Sequence, residues 1–228
     1  YGPTDVVGQT GLESRYESQL AGSPRTAIVR VNKFGRLMEE LFVIEAGIPQ
    51  DVPTTIDIRI QESVERSLQD VTRPAAVVVI QASTGQVRAM ASRPLSDGFN
   101  RAALGTYPPG STFKVITATS LLENGFTIGS EVECPAGVTL GGRTISNAGD
   151  VDRGTITLKE AFAVSCNTAF AASAVGSLTP TVLEQTASRF GFGAEPNLGV
   201  PAAASSFPVP SDIAEMAAAA IGQDRALA

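Results

Sequence analysis

The stretch Tyr107-Pro108-Pro109-Gly110-Ser111-Thr112-Phe113-Lys114 decides how this 228-residue chain is read. Pro-Pro-Gly is a rigid breaker. A helix is predicted to follow from Ser111 and to end near Asn124-Gly125, where glycine suits the C-terminal cap. Residues three apart on a helix share a face, so Lys114 can set its amine beside the Ser111 hydroxyl. Taken alone, Ser111 could be an N-cap and Lys114 a solvated charge, and a Ser-x-x-Lys tetrad is short enough to arise by chance. The position of the charge argues against that reading. A helix N-terminus carries partial positive charge, so acids are favoured in its first turn and a lysine is misplaced. The same field is useful if the lysine must be neutral. Burial and a positive neighbour both lower its pKa toward that of a working general base, and the field also favours a serine oxyanion.

Composition narrows the chemistry further. Histidine is absent, which removes a Ser-His-Asp triad, a Cys-His pair and a histidine-ligated metal. Acid–base work then falls to Asp, Glu, Lys, Tyr or Cys. Cys134 and Cys166 are too few for a structural zinc site without histidine, and their spacing leaves a disulfide and two buried thiols equally open. Neither a metal nor a cofactor is expected. The net charge of −6 and the lack of a Lys/Arg cluster argue against nucleic acid. With 43% apolar and 18% charged residues the chain can bury a sizeable core. No apolar run approaches the ~18 residues of a membrane span. The chain starts without Met and reads as a trimmed soluble portion of something longer.

Along the chain, residues 1–50 mix Gly, Pro, charge and short apolar stretches, with 43–49 reading as strand or linker. A second unit opens at Pro53. Asp57 is predicted to cap a helix whose apolar positions Ile60, Val64 and Leu68 fall four apart. Residues 75–80 and 87–91, separated by Ser83-Thr84-Gly85, read as a hairpin. Residues 127–154 are Gly-rich and read as irregular. Thr157 and Glu160 form a capping box for another helix, broken around Ser165-Cys166-Asn167. A serine and an asparagine two apart at such a break can face one cleft, although polar residues there are usually caps. A helix from Thr179-Pro180 should hold Val182, Leu183, Thr186 and Phe190 inside. Ser211 is predicted to cap a last Ala-rich helix over 213–221. Strands first and helices after indicate an α+β fold.

At this point the residues resemble a known family. Ser-x-x-Lys followed by a Ser-x-Asn motif is the signature of penicillin-binding proteins and class A β-lactamases. Tyr107 to Lys114, with Asn100-Arg101-Ala102 upstream, is similar to the nucleophile region of class B (monofunctional) penicillin-binding proteins. Thr54-Thr55-Ile56-Asp57 resembles the opening of their transpeptidase domain, and Gly11-Leu12-Glu13 with Tyr16 and Leu20 the module before it. The cysteine inside Ser165-Cys166-Asn167 is similar to that of actinobacterial members. The resemblance implies the serine β-lactamase/penicillin-binding transpeptidase fold, an antiparallel sheet flanked by helices. It divides the chain into an N-terminal pedestal or linker module, 1–50, and a transpeptidase portion, 51–228. It makes Ser111 the nucleophile, Lys114 the general base, Ser165 the proton relay and Asn167 a substrate-binding residue, with half the oxyanion hole from the Ser111 N–H. In an extracytoplasmic setting it also implies a Cys134–Cys166 disulfide. Expected partners are peptidoglycan stem peptides, β-lactam antibiotics, and divisome or elongation proteins. An N-terminal membrane helix outside this sequence would hold the ectodomain on the outer face of the cell membrane.

One departure matters. The family's third motif, Lys-Thr-Gly or Lys-Ser-Gly, is absent from 1–228, so the expectation is of an N-terminal portion inactive by itself. Two other readings compete. A serine β-lactamase needs a base that activates water, and Glu195-Pro196-Asn197-Leu198-Gly199 comes near its Glu-x-x-Leu-Asn loop but ends in Gly. A β-lactam sensor or non-catalytic scaffold would share the nucleophile without the Gly11 to Leu20 type of module.

Overall fold

In the computed structural model, residues 7–96, 98–224 and 226–228 are described. They form two units: one runs to Gly105 and takes in Asn197–Ala202, the other comprises Thr106–Pro196 and Ala203–Ala228.

The first unit begins with two short helices, α1 (Gly11–Arg15) and α2 (Glu17–Leu20), and a hairpin of β1 (Thr26–Val31) and β2 (Leu37–Ile44). The Asn32 side chain accepts from the Phe34 and Arg36 amides and shapes the turn between them. β2 ends at Ile44, so only the start of the stretch read as strand or linker is strand; Gly47 adds an isolated bridge to Ser23. α3 (Ile58–Ser67) is capped by Asp57, whose carboxylate accepts from the Arg59 N–H at 3.0 Å. Its Val64, with Leu68 beyond its end, packs on Ala89 and Ala91 of β4 (Gln86–Arg93), and β4 pairs antiparallel with β3 (Ala75–Gln81). This is the predicted hairpin. Gln61 on α3 fastens the helix to the strand, donating to Met90 O at 2.9 Å and accepting from Met90 N at 2.8 Å. α4 (Arg101–Leu104) closes the unit, capped by Asn100.

In the second unit the helix predicted from Ser111 is split. Gly110–Phe113 is a 3₁₀ turn, and the α-helix α5 (Lys114–Glu123) starts only at the lysine. Residues 127–154, read as irregular, hold short strands instead. These are β5 (Glu131–Glu133), β6 (Gly137–Leu140) and β7 (Arg143–Ser146), followed by β8 (Thr155–Thr157). β6 pairs with β7, and β5 with β8. Strands of three or four residues are too short to show a period of two. Thr157 and Glu160 make the full capping box of α6 (Leu158–Ala163). After the break come α7 (Asn167–Ser177), α8 (Pro180–Arg189) and α9 (Ile213–Ala219).

Two expectations fail locally. Phe190 lies beyond the end of α8 and is 50% exposed, so the apolar stripe stops at Thr186 and Ala187. The cap of α9 is Asp212, accepting from Glu215 N at 2.8 Å; the Ser211 hydroxyl turns to the Glu215 carboxylate instead.

The core is built around α7. Its Ala169, Phe170, Ala171 and Ala174 are almost fully buried, and α5 and α9 pack against it. Small residues let these helices approach closely. Under the 3₁₀ turn, Phe113 stacks on Phe207 at 4.9 Å and meets Phe192 edge-on at 5.4 Å. Each such pair adds about 0.5–1.5 kcal/mol beyond burial. The floor beneath Ser111 is thereby rigid.

Candidate active site

The split in the helix sets the geometry of the site. The 3₁₀ turn leaves Ser111 exposed, while three residues later Lys114 is 1% exposed. The lysine amine reaches Ser111 Oγ at 3.2 Å, Ser165 Oγ at 2.9 Å, the Ser165 carbonyl oxygen at 2.8 Å and Asn167 Oδ1 at 2.5 Å. The Ser165 hydroxyl donates to Ser111 Oγ at 3.0 Å, closing a ring of three polar atoms. These partners of Lys114 are uncharged, and burial pulls its pKa from 10.5 down to about 8.

Proton counting gives this arrangement its chemical meaning. The Ser165 carbonyl and Asn167 Oδ1 can only accept, so they take two N–H bonds. A neutral amine has two N–H groups and one lone pair. With both N–H groups spent, the lone pair faces the two hydroxyls. It can take the Ser111 proton directly or through Ser165.

Ser165 is held in an unusual backbone state, φ +56°. Non-glycine residues seldom occupy this region, and where they do the surroundings over-determine them. Here the break between α6 and α7 turns the Ser165 carbonyl and hydroxyl to the same amine. The Ser165 N–H bonds to Phe162 O and the Cys166 N–H to Ala161 O, so α6 fixes the bend from below. A disulfide joins Cys166 to Cys134, Cα–Cα 6.2 Å. It ties the bend to the segment after β5.

The turn that carries Ser111 is equally constrained. Gly110 has φ +55° and Gly222 φ +70°, and the Gly110 N–H donates to Gly222 O at 2.8 Å. The chain after α9 lies directly against the turn that carries Ser111.

Of the residues singled out from sequence, Ser111, Lys114, Ser165 and Asn167 come together in one hydrogen-bonded cluster, and Cys134 and Cys166 are joined beside it. Arg143 lies 3.9 Å from Asp224 and makes no bond to the cluster. Glu195 is exposed, and among the described residues no carboxylate hydrogen-bonds to any of the four. Among the described residues no three or more acidic, cysteine or histidine side chains cluster so as to hold a metal ion. One contributor escaped the sequence reading. Asn147, buried just after β7, bonds to the first amides of α7. Nothing local marks it, since an asparagine in a Gly-rich segment looks like a turn residue.

An exposed hydroxyl facing a buried amine, with a second hydroxyl between, is a serine–lysine centre. The comparisons with known proteins name the family. Residues 75–227 match the penicillin binding protein transpeptidase domain, and residues 1–51 match the penicillin-binding protein dimerisation domain. The chain belongs to the penicillin-binding protein transpeptidase family, and its fold is the α+β penicillin-binding transpeptidase fold that the resemblance implied. It is 33% identical over 195 residues to peptidoglycan D,D-transpeptidase PbpA of Mycobacterium tuberculosis, a match covering 71% of this chain and 38% of that protein. Penicillin-binding protein A from M. tuberculosis, solved as an imipenem acyl-enzyme complex, aligns with TM-score 0.71 at 31% identity over 77% of this chain and 48% of that one. Penicillin-binding protein PBP2 of Helicobacter pylori, solved in complex with MreC, aligns with TM-score 0.80 over 97% of this chain and 48% of that one; at 24% identity it speaks for the fold alone. The chain thus spans well under half the length of the curated relative it matches. Among the described residues no helix is long and apolar enough to cross a membrane.

Proposed function

We propose that this chain carries the nucleophile half of a peptidoglycan D,D-transpeptidase site, in which Ser111 forms the acyl-enzyme. The observation that carries this reading is the lysine amine, buried among uncharged acceptors and 3.2 Å from Ser111 Oγ. Lys114 takes the hydroxyl proton as Ser111 attacks the carbonyl of the penultimate D-Ala of a stem peptide. The tetrahedral oxyanion forms against the Ser111 N–H, at the positive end of the turn. Ser165 passes the proton to the departing D-Ala amine, and the C–N bond breaks to leave a Ser111 ester. The amine of a second stem peptide then attacks the ester, which yields a cross-link and returns the proton to Ser111. Asn167 holds the substrate amide. A β-lactam enters the same way, but its ring amine remains tethered and the ester persists.

In this reading residues 1–50 are a pedestal or linker and 51–228 the transpeptidase portion. The site works on the outer face of the cell membrane, where its substrate lies, and division or elongation proteins are its protein partners.

The direct test uses the complete protein with a donor peptide ending in D-Ala-D-Ala and an acceptor amine. One D-Ala should be released per cross-link formed. Release with water as the only acceptor, together with penicillin turnover within seconds, would instead indicate a β-lactamase.

A pH dependence follows from the lysine. Below about pH 8 Lys114 is an ammonium and cannot accept the Ser111 proton. Penicillin acylation should therefore slow about tenfold per pH unit on the acid side and level off above the midpoint. Stopped-flow acylation between about pH 5 and 10 checks this; a flat profile would remove Lys114 as the base.

A further inference from the structure

We infer that Asn147 is a positioning residue for the Ser165–Asn167 arm of the site: it sets where Asn167 meets the lysine amine. The inference rests on the reading of Ser111 and Lys114 given above.

Helix α7 begins at Asn167, the residue whose side chain touches Lys114. A helix start leaves amides without partners inside the helix. Here the supply is divided. The Ala169 N–H goes to Cys166 Sγ at 3.3 Å. The N–H groups of Asn167 and Thr168 both go to Asn147 Oδ1, at 2.9 and 3.2 Å, while the Thr168 hydroxyl donates to Pro135 O at 2.8 Å. The helix is therefore capped in part by a side chain 20 residues away.

The other end of the amide is also fully used. Asn147 Nδ2 donates to Pro135 O at 2.8 Å and Val151 O at 3.0 Å, and lies 3.5 Å from Cys134 Sγ. One side chain thus joins the segment after β5, the segment after β7 and the start of α7. The Asn167 side chain adds a bond from Nδ2 to Ser146 O at 2.9 Å. Its amide is then fixed from both sides: backbone by Asn147, side chain by Ser146 O, which leaves Oδ1 aimed at Lys114. Neither aspartate nor glutamine reproduces this. Aspartate keeps the acceptor and loses the donor, and glutamine is one methylene too long for a buried position.

A purely structural asparagine would change stability alone when replaced. A positioning residue also changes the rate and the titration of the base. The experiment measures fluorescent-penicillin acylation of Ser111 against pH in the complete protein, with melting temperature alongside. Asn147→Ala should slow acylation by about tenfold or more, because small displacements of a catalytic group are costly. Asn147→Asp keeps the acceptor for α7 but loses the donor to Pro135 and Val151; read below its own melting temperature, it separates a rate effect from a loss of fold. It places a carboxylate one hydrogen bond from Asn167. That charge favours the ammonium form of Lys114 and should move the acylation midpoint upward by about one pH unit. An Asn147→Asp variant that acylates at the wild-type rate with the wild-type midpoint, whatever its melting temperature, overturns the inference. If the wild-type protein itself takes no label at Ser111, the reading of Ser111 falls instead, so the two failures are distinguishable.

Discussion

Replacing Lys114 with methionine is expected to leave a folded protein whose acylation by penicillin is slower by about 10²–10⁴-fold, the usual share of a general base. The two effects separate because the lysine is a poor structural residue. It is 1% exposed, and among the described residues no carboxylate pairs with it. Its pKa near 8 means that at neutral pH the folded protein holds a buried ammonium that the unfolded chain would keep in water. A depressed lysine pKa disfavours the folded state wherever the group is charged. That penalty is full below about pH 8 and fades between 8 and 10.5. Methionine fills the same space without the charge. Its hydrogen-bond partners are not trapped, since Ser165 is exposed and Asn167 only half-buried. The melting temperature at neutral pH should therefore not fall, while that of the wild type alone should rise toward alkaline pH. Lys114→Arg should not restore activity, because a guanidinium stays charged and cannot act as a base. Thermal melts and acylation rates on the same samples check both halves.

The second large effect lies away from the reacting atoms. Gly222→Ala is expected to cost about 3 kcal/mol or more, a large share of the roughly 5–15 kcal/mol that keeps a domain folded. The backbone there has φ +70°, where an L side chain is strained. An added Cβ would collide with Gly110 O and stand 2.7 Å from Phe113 Cβ. Both neighbours belong to the turn that carries Ser111, and the Phe113 ring is locked between Phe207 and Phe192. Neither can retreat without moving Ser111. Denaturant unfolding gives the stability. A Gly222→Ala protein as stable as wild type would show that the chain after α9 does not press on this turn as described.

What could be seen in the sequence divides by range. Ser111 and Lys114 sit within one turn, so helical spacing alone puts them together, and the misplaced charge marks them. The Thr157–Glu160 box and the Asp57 cap are also local, and each forms as expected. At α9 two adjacent residues, Ser211 and Asp212, both suit a cap, and composition could not choose between them. β6 and β7 are a local hairpin about Gly141-Gly142, a turn signal that the reading of 127–154 as irregular passed over; β5 and β8 were invisible because their pairing lies across the fold, as in Val132 with Ile156. Asn147 was invisible for the same reason. Its partners Pro135, Val151 and Asn167 approach only once the strands have folded. The spacing of the two cysteines could not say whether they meet.

Intact-protein mass spectrometry after exposure of the complete protein to penicillin, followed by peptide mapping, tests the central claim most directly. The account predicts a single covalent adduct on the peptide that carries Ser111, absent from Ser111→Ala and long-lived in the wild type. An adduct on any other residue, or none in a folded protein at about pH 8, where the lysine is half neutral, would contradict it.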